Sequence, residues 1–493
     1  MRTRNATHAL RSAFRVFLIV CCAFGVVFAA WPARAQSAAA EHGVSALMVS
    51  DIHFEPFWDP GKAAKLAAAP TSGWKSILGA PDSPDRAQKF AALEQTCKTR
   101  GEDTTFPLYE SSLKAIVARA SDAKFVTVSG DLISHSFTCK FGAVFPQAAP
   151  GDYQAFVMKT IDFVVRSLRE ALSGVPVYAA LGNNDSGCGD YQLDANSDFL
   201  TSVGKIVTAE LPQSERAQAE KDFAAGGYYS VTLPAPMEHA RLLVLDDLFM
   251  SRRYQTCAGK DDPAPAAAQI AWLAQQLSQA RRQGLQVWVM AHIPPGVDAY
   301  ATATKGKNIC EGKDPTMFLS SEALPDAMIP YGDVIRLAIF AHTHMDELRL
   351  LQPEAERQTK NTVVIKMVSS ISPIDGNDPS FTVARVEPET ATLKDYRVFV
   401  ASNQSGTGAT WAEEYDYARA YHEPEFSAAA VRELIGKFAA DPSGQSAASQ
   451  NFIRSYSPGA SVGALQLFWP QYVCALKNDA GAAFAACACG ATP

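Results

Sequence analysis

Beyond its first 35 residues the sequence has no apolar run long enough to cross a bilayer, no internal repeat and no polybasic tract. The first absence excludes a membrane-spanning body. The second excludes solenoids and propellers. Positive charge is in the minority, with 44 Lys+Arg against 51 Asp+Glu and a net charge of −7. A sequence-independent coat for a nucleic-acid duplex needs the opposite sign, so no such partner is expected. An acidic protein that takes a phosphorylated ligand must supply local cations. General disorder is excluded too, because 47% of residues are hydrophobic and 19% charged, enough to bury a sizeable core. The 493 residues allow two to three domains, or one large α/β domain with an appendage.

The N-terminus has a pattern of its own. Arg2, Arg4, Arg11 and Arg15 precede an apolar run from Val16 to Ala30, and Ala33-Arg34-Ala35 follows as a small-x-small cleavage pattern. Residues 1–35 read as a secretory signal peptide. The run is shorter than the ~20 residues of a membrane span, so no stable membrane insertion is expected after cleavage. Cleavage removes five arginines and no acids, and −7 deepens to −12. It also removes Cys21 and Cys22, leaving eight cysteines in an oxidising compartment, where disulfides form. The alanine-rich composition suggests a bacterial source, hence a periplasmic or secreted protein.

Apolar strand patterns alternate with amphipathic helix patterns. Strands are expected at 46–50, 125–129, 175–181, 241–245, 285–290 and 337–340. Helices are expected at 109–120, 153–172, 201–225 and 263–282. This alternation predicts an α/β fold. From Leu348 to Val400 the pattern turns to short β segments. From Trp411 onward it reads as helical. The segment from Phe54 to Thr105 reads as a long loop rich in Pro, Gly and Asp, and loops of that length commonly carry function.

Chemistry-bearing residues gather just past the expected strands. Asp51-Ile52-His53 follows the first. Gly130-Asp131 follows the second, with His135 four residues on. Gly182-Asn183-Asn184-Asp185, Ala291-His292 and Ala341-His342-Thr343-His344 follow three others. The C-terminal edge of an open α/β sheet is where such folds build sites. Setting aside His8 in the signal, five of the eight remaining histidines lie there. Residues i and i+2 of a strand share a face, so His342 and His344 are expected to point to one side, as are Asp51 and His53. A carboxylate such as Asp131 can bridge two cations, and the Asn183 carbonyl is a neutral oxygen ligand. Mixed nitrogen and oxygen donors suit Zn, with Mn or Fe as alternatives. Two such ions roughly 3.5–4 Å apart can bind a phosphate and activate water near neutral pH.

The order Asp-x-His, Gly-Asp, Gly-Asn-x-Asp, Ala-His, His-x-His resembles that of the calcineurin-like metallophosphoesterases. The resemblance is closer to acid sphingomyelinase and the acid sphingomyelinase-like phosphodiesterases. It extends through His135 at its offset from Asp131, Gly226-Gly-Tyr-Tyr-Ser230, His292-Ile-Pro-Pro-Gly296 and the run from His342 to Glu347. It covers about residue 45 to the end, with Trp411 to Tyr421 resembling the start of the helical C-terminal region. The resemblance implies a four-layer α/β/β/α sandwich over residues 36–405 and a small helical, Cys-containing region over 406–493. It implies two divalent cations, one held by Asp51, His53, Asp131 and His344, the other by Asp131, Asn183, His292 and His342. A metal-bridging hydroxide would attack phosphorus in line, and His135 would flank the phosphate. A monomer acting on a small-molecule phosphoester is expected.

Two departures stand out. Ala341 replaces a usual glycine. Asn184 replaces the histidine that serves as the usual proton donor. Asn184 can hydrogen-bond a phosphate oxygen but is no acid. Three readings stay open: His135 alone is the acid, the leaving group needs little protonation, or the protein is a catalytically weakened phosphate-binding relative. Endopolyphosphatases resemble the Gly182–Asp185 stretch, with a phosphate leaving group, but lack the counterpart of His344. Sphingomyelinase proper carries a lipid-extracting saposin domain before the first catalytic strand. That strand starts here about ten residues after the cleavage site, so a soluble phosphodiester, nucleotide-type or phosphocholine-type, is expected. The alternative is a polyphosphatase or phosphomonoesterase. By resemblance Cys257 pairs with Cys310; Cys97 with Cys139, and Cys474 with Cys487 or Cys489, are further candidate pairs.

Overall fold

The computed structural model describes residues 43–306, 308–353, 361–459 and 463–490. The signal peptide read over 1–35 lies outside the described residues. Twelve strands are present among them: β1 (Val44–Val49), β2 (Val126–Val128), β3 (Val177–Ala179), β4 (Tyr229–Thr232), β5 (Ala240–Val244), β6 (Gln286–Met290), β7 (Ile335–Phe340), β8 (Glu347–Leu351), β9 (Val363–Met367), β10 (Ser380–Val386), β11 (Leu393–Ala401) and β12 (Trp411–Asp416).

They form two six-stranded sheets, ordered β12-β11-β10-β1-β2-β3 and β4-β5-β6-β7-β9-β8. The inner strands run parallel: β1 with β2 and β2 with β3 in one sheet, β5 through β6 and β7 to β9 in the other. The inner strands explain the near-continuous apolar runs, such as Val-Ser-Ala-Leu-Met-Val in β1, buried throughout. The sheets pack on each other: Phe125, just before β2, meets Trp288 of β6 edge-on with ring centroids 5.6 Å apart. Helices cover the outer faces. In Asp152–Ala171 the buried set Phe156, Val157, Thr160, Ile161, Val164 and Leu168 makes one stripe. The four-layer α/β/β/α sandwich is therefore the observed fold.

Several local expectations are corrected. Trp411–Asp416 is a strand and not a helix; it pairs with the edge of β11, and Trp411 and Tyr415 pack on Phe381 and Tyr396. Its charged residues suit an edge strand, and the helix begins only at Tyr417, capped by Asp416. The first sheet thus runs past residue 405. The segment from 54 to 105 is not a plain loop but carries helices Ala63–Ala68, Trp74–Leu78 and Arg86–Cys97. The helix expected at 201–225 is two, Asp198–Val207 and Gln213–Gly226, broken before Pro212. Disulfides link Cys97–Cys139, Cys188–Cys257, Cys310–Cys489 and Cys474–Cys487. The Cys257–Cys310 pairing is overturned, because the loop bearing Cys257 lies against the one bearing Cys188. Cys310 instead reaches the helix Gly481–Gly490.

Candidate metal centre

The loops leaving β1, β2, β3, β6 and β7 converge at one edge of the sandwich, where the two sheets approach through a Ser50–Ser370 bridge. Asp51, His53, Asp131, His342 and His344 all have φ between 43° and 71°. Non-glycine side chains rarely take this left-handed region, and residues held there concentrate at functional sites. The expectation that His342 and His344 share a strand face is corrected by this backbone. The two sit in a turn after β7 and diverge into different donor groups. Glycines make the close approach possible: a Cβ on Gly182 would lie 2.2 Å from Asp131 Oδ1 and 2.4 Å from its backbone nitrogen. Ala341 is buried and is not among the residues of positive φ, so its methyl is accommodated.

Two donor groups share one atom. His53 Nε2 lies 3.2 Å from His344 Nε2 and 3.3 Å from Asp131 Oδ2, and His344 Nε2 lies 3.5 Å from Asp51 Oδ1. In the second group His292 Nε2 lies 3.2 Å from Asp131 Oδ2, 3.2 Å from Asn183 Oδ1 and 3.3 Å from His342 Nδ1. Donors arranged tetrahedrally around one ion at bond lengths of ~2.0–2.1 Å lie about 3.3–3.4 Å from each other. Both groups fit an ion, and Asp131 Oδ2 is the atom that would bridge.

The surroundings demand positive charge at this place. Asp51 Oδ1 is buried and accepts no hydrogen bond. Burial alone would lower the His53 and His292 imidazoles, yet the neighbouring Asp131 carboxylate raises them, to about 9 and about 10. His342 is pulled down to about 3 by burial and by neighbouring His292, and His344 falls well below its ordinary value through burial and His53. Neutral imidazole is the form that binds metal.

Further residues fix the orientation of these donors. His53 Nδ1 faces the carbonyl of Ile133 at 2.9 Å, and His292 Nδ1 that of Ser129 at 2.8 Å. Each ring therefore presents Nε2 to the centre. Tyr191 Oη lies 3.2 Å from His342 Nε2. The Asn183 amide donates to Asp190 Oδ1 at 2.8 Å, which turns its carbonyl inward. Beneath the His-x-His turn, Glu347 accepts from Thr343 Oγ1 at 2.8 Å and from Tyr472 Oη at 2.6 Å, and pairs with Arg349 at 2.9 Å.

His135 and Asn184 are placed differently. The His135 ring stacks on His53 with centroids 3.9 Å apart. Its backbone N–H donates to Asp103 Oδ2 at 2.8 Å and its Nδ1 lies 3.0 Å from Asp103 Oδ1. Burial opposes the Asp103 charge, but His135, His53 and Lys140 hold its carboxyl far below the usual range. His135 Nε2 is left facing Arg100 Nη2 at 3.3 Å. Asn184 is buried and donates from Nδ2 to Asp131 Oδ2 at 2.9 Å. This bond ties its amide to the carboxylate common to both donor groups, and Asn184 is not among the residues lining the cavity.

The cavity above the donors holds about 550 Å³ and is lined by His135, Asn183, His342, Arg253, Tyr300 and Phe318 among others. Tyr300 and Phe318 come from the segment between Val297 and Leu319. Sequence reading missed Arg100, Asp103, Asp190, Tyr191, Arg253 and Asp375. They stand in loops with no motif around them, and only spatial proximity reveals them. Among the described residues no helix is long and apolar enough to cross a membrane.

A family model described as calcineurin-like phosphoesterase matches residues 45–346. The chain is 25% identical over 460 residues to an acid sphingomyelinase-like phosphodiesterase 3b of Homo sapiens, covering 90% of each chain. It is 24% identical over 351 residues to the cyclic GMP-AMP phosphodiesterase SMPDL3A of Mus musculus, covering 70% of this chain and 72% of that one. A dimetal phosphatase from Danio rerio superposes on 76% of this chain and 99% of its own, with a TM-score of 0.40 and 11% identity.

Proposed function

The chain belongs to the calcineurin-like phosphoesterase family, and from that premise we propose that it is an exported phosphodiesterase with two divalent cations, zinc in the first place, acting on a soluble phosphodiester of nucleotide or phosphocholine type. The observation that carries the reading is Asp131 Oδ2, common to both donor groups. Asp51, His53, Asp131 and His344 would hold one cation, and Asp131, Asn183, His292 and His342 the other. The bound pair supplies Lewis-acid charge for the phosphate oxygens and for activating water.

The remaining work falls to the chain's own groups. His135 is oriented by Asp103, so Nδ1 carries a proton towards the carboxylate and Nε2 addresses the cavity. Its Nε2, turned from the Arg100 guanidinium it faces here, is the group placed to give a proton to the leaving oxygen. Asn184 holds the Asp131 carboxylate in place. Tyr300 and Phe318 line the cavity and would offer apolar faces to the substrate's non-reacting part. Four disulfides support residence in an oxidising compartment such as the periplasm or the exterior.

The replacement of the usual histidine by Asn184 favours one second reading, a polyphosphatase or phosphomonoesterase whose leaving group departs without an acid. A panel of nucleotide diesters, phosphocholine esters and polyphosphate, assayed with added zinc or manganese, decides between them. Stoichiometric metal with no turnover of any phosphoester would refute both and favour a binding protein.

A further inference from the structure

We propose that Arg253 is a specificity-determining residue that recognises a second, phosphate-type anionic group adjoining the scissile phosphate on the Asn183–His342 side. This deepens the phosphodiesterase reading and rests on it.

Arg253 stands on a rigid double loop. Residues 186–194 and 251–257 are joined by Cys188–Cys257. Gln255 N donates to Tyr191 O at 3.0 Å and Leu193 N to Gln255 O at 3.1 Å. Cys257 N donates to Asp194 Oδ1 at 3.0 Å, and Tyr254 Oη to Leu193 O at 3.0 Å. Within this ribbon Tyr191 is held at φ 58°, the same left-handed region as the metal ligands. Strain of that kind persists where the surroundings over-determine a position.

The guanidinium lies over the Tyr191 ring, with Cζ 3.9 Å from the centroid. Tyr191 in turn reaches His342 at 3.2 Å. Arg253 is therefore one side chain removed from a ligand of the second cation, and it lines the cavity. Its side chain is 63% exposed, and its ion pair with Asp190 is a loose 3.6 Å. The other oxygen of Asp190 already receives the Asn183 amide. Stacking uses the flat face of a guanidinium and leaves its N–H edge for a ligand. Across the site Arg100 is more committed: it pairs with Asp375 at 3.2 Å through both terminal nitrogens and faces His135 Nε2 at 3.3 Å.

A guanidinium laid over the Tyr191 ring, with donors beyond its loose pair with Asp190, suits the fork geometry of a phosphate. It sits beside the second donor group, so the group it meets must adjoin the scissile phosphorus. A second phosphate meets that condition. A quaternary ammonium would gain nothing from Arg253. The surface thus selects a nucleoside-diphosphate-type substrate over a phosphocholine-type one.

The test uses the zinc-loaded protein and two probes, AMP and α,β-methylene-ADP, whose P–C–P link resists hydrolysis. Binding is measured by calorimetry, with metal content determined before and after. Wild type is expected to bind the diphosphate analogue more tightly than AMP. Arg253→Gln is expected to reduce that preference about tenfold, the scale of a charge-assisted hydrogen bond. Arg253→Lys, with charge but no fork, is expected to fall between, and carries the comparison if the glutamine variant fails to hold two metals. Equal weakening of both probes, or of neither, would overturn the proposal. Selective binding without turnover of any phosphoester would sink the phosphodiesterase reading and leave this assignment standing.

Discussion

Replacing Gly182 by alanine would place a methyl group 2.2 Å from Asp131 Oδ1 and 2.4 Å from the Asp131 backbone nitrogen. An ordinary contact needs ~3.4 Å or more, so one loop must retreat by about 1 Å. Rotating a side chain cannot relieve it, because the 2.4 Å contact is to backbone. Asp131 supplies the oxygen common to both donor groups, and Asn183 adjoins the substituted residue. The retreat therefore separates donors that now stand 3.2–3.3 Å apart. A misplacement of about 1 Å commonly costs about 10²-fold in rate, or roughly 2.7 kcal/mol of barrier. The expected result for Gly182→Ala is loss of one or both metals and at least that loss of diesterase activity. Overpacking should also cost about 1–3 kcal/mol of stability. Gly151→Ala is the control. Its φ is 93°, and a Cβ there meets nothing within 4 Å, so the strain is local. It should lose only about 1–2 kcal/mol of stability and keep both metals and activity. Elemental analysis, turnover of a chromogenic diester and thermal melting read out both variants. Gly182→Ala with two metals at full occupancy and near-normal turnover would refute the reasoning.

Three other expectations are open to simple assays. Asp131→Asn should lose metal and activity together; two metals at full occupancy, seen by elemental analysis, would count against its bridging role. His135→Ala should cripple esters with poor leaving groups far more than nitrophenyl esters, and equal losses would sink its assignment as proton donor. Glu414, largely buried and near Asp346 and Asp378, is raised to about 7 despite accepting from Gly459 N. A raised carboxyl leaves the fold unaffected below its unfolded pKa near 4.5 and penalises it increasingly up to about pH 7. Glu414→Gln should therefore match wild type near pH 4 and exceed its stability at pH 8, by on the order of 2 kcal/mol. No gain on raising the pH, in denaturant melts, would show the group is not buried as described.

The candidate metal donors were legible because each lies in a short motif just past the end of an apolar strand, and both sheets bring such ends to one edge of the sandwich. Orientation was not legible. The His-x-His pair read as sharing a face, but that rule holds for extended backbone, and both residues are left-handed here. Asn184 illustrates a second limit: residue type gives its capacity to hydrogen-bond but not its partner, and only packing reveals the bond to Asp131. Asp103, Asp190 and Arg253 act only through loops brought together by long-range packing, as with Cys188 and Cys257. Nothing in residue order foretells such a neighbour. The edge strand Trp411–Asp416 hid because charged residues facing solvent mask its alternation.

The contact between Glu347 and Tyr472 has a practical consequence. Glu347 props the turn bearing His342 and His344, and it is itself steadied by a tyrosine 125 positions later in the chain. A fragment ending at residue 405 would keep every candidate metal donor yet lose the hydroxyl that shares the Glu347 charge. It would also lose the strand that covers β11, baring a sheet edge. The helical end of the chain works as a brace for the reaction centre, and the two regions cannot be shuffled as independent modules.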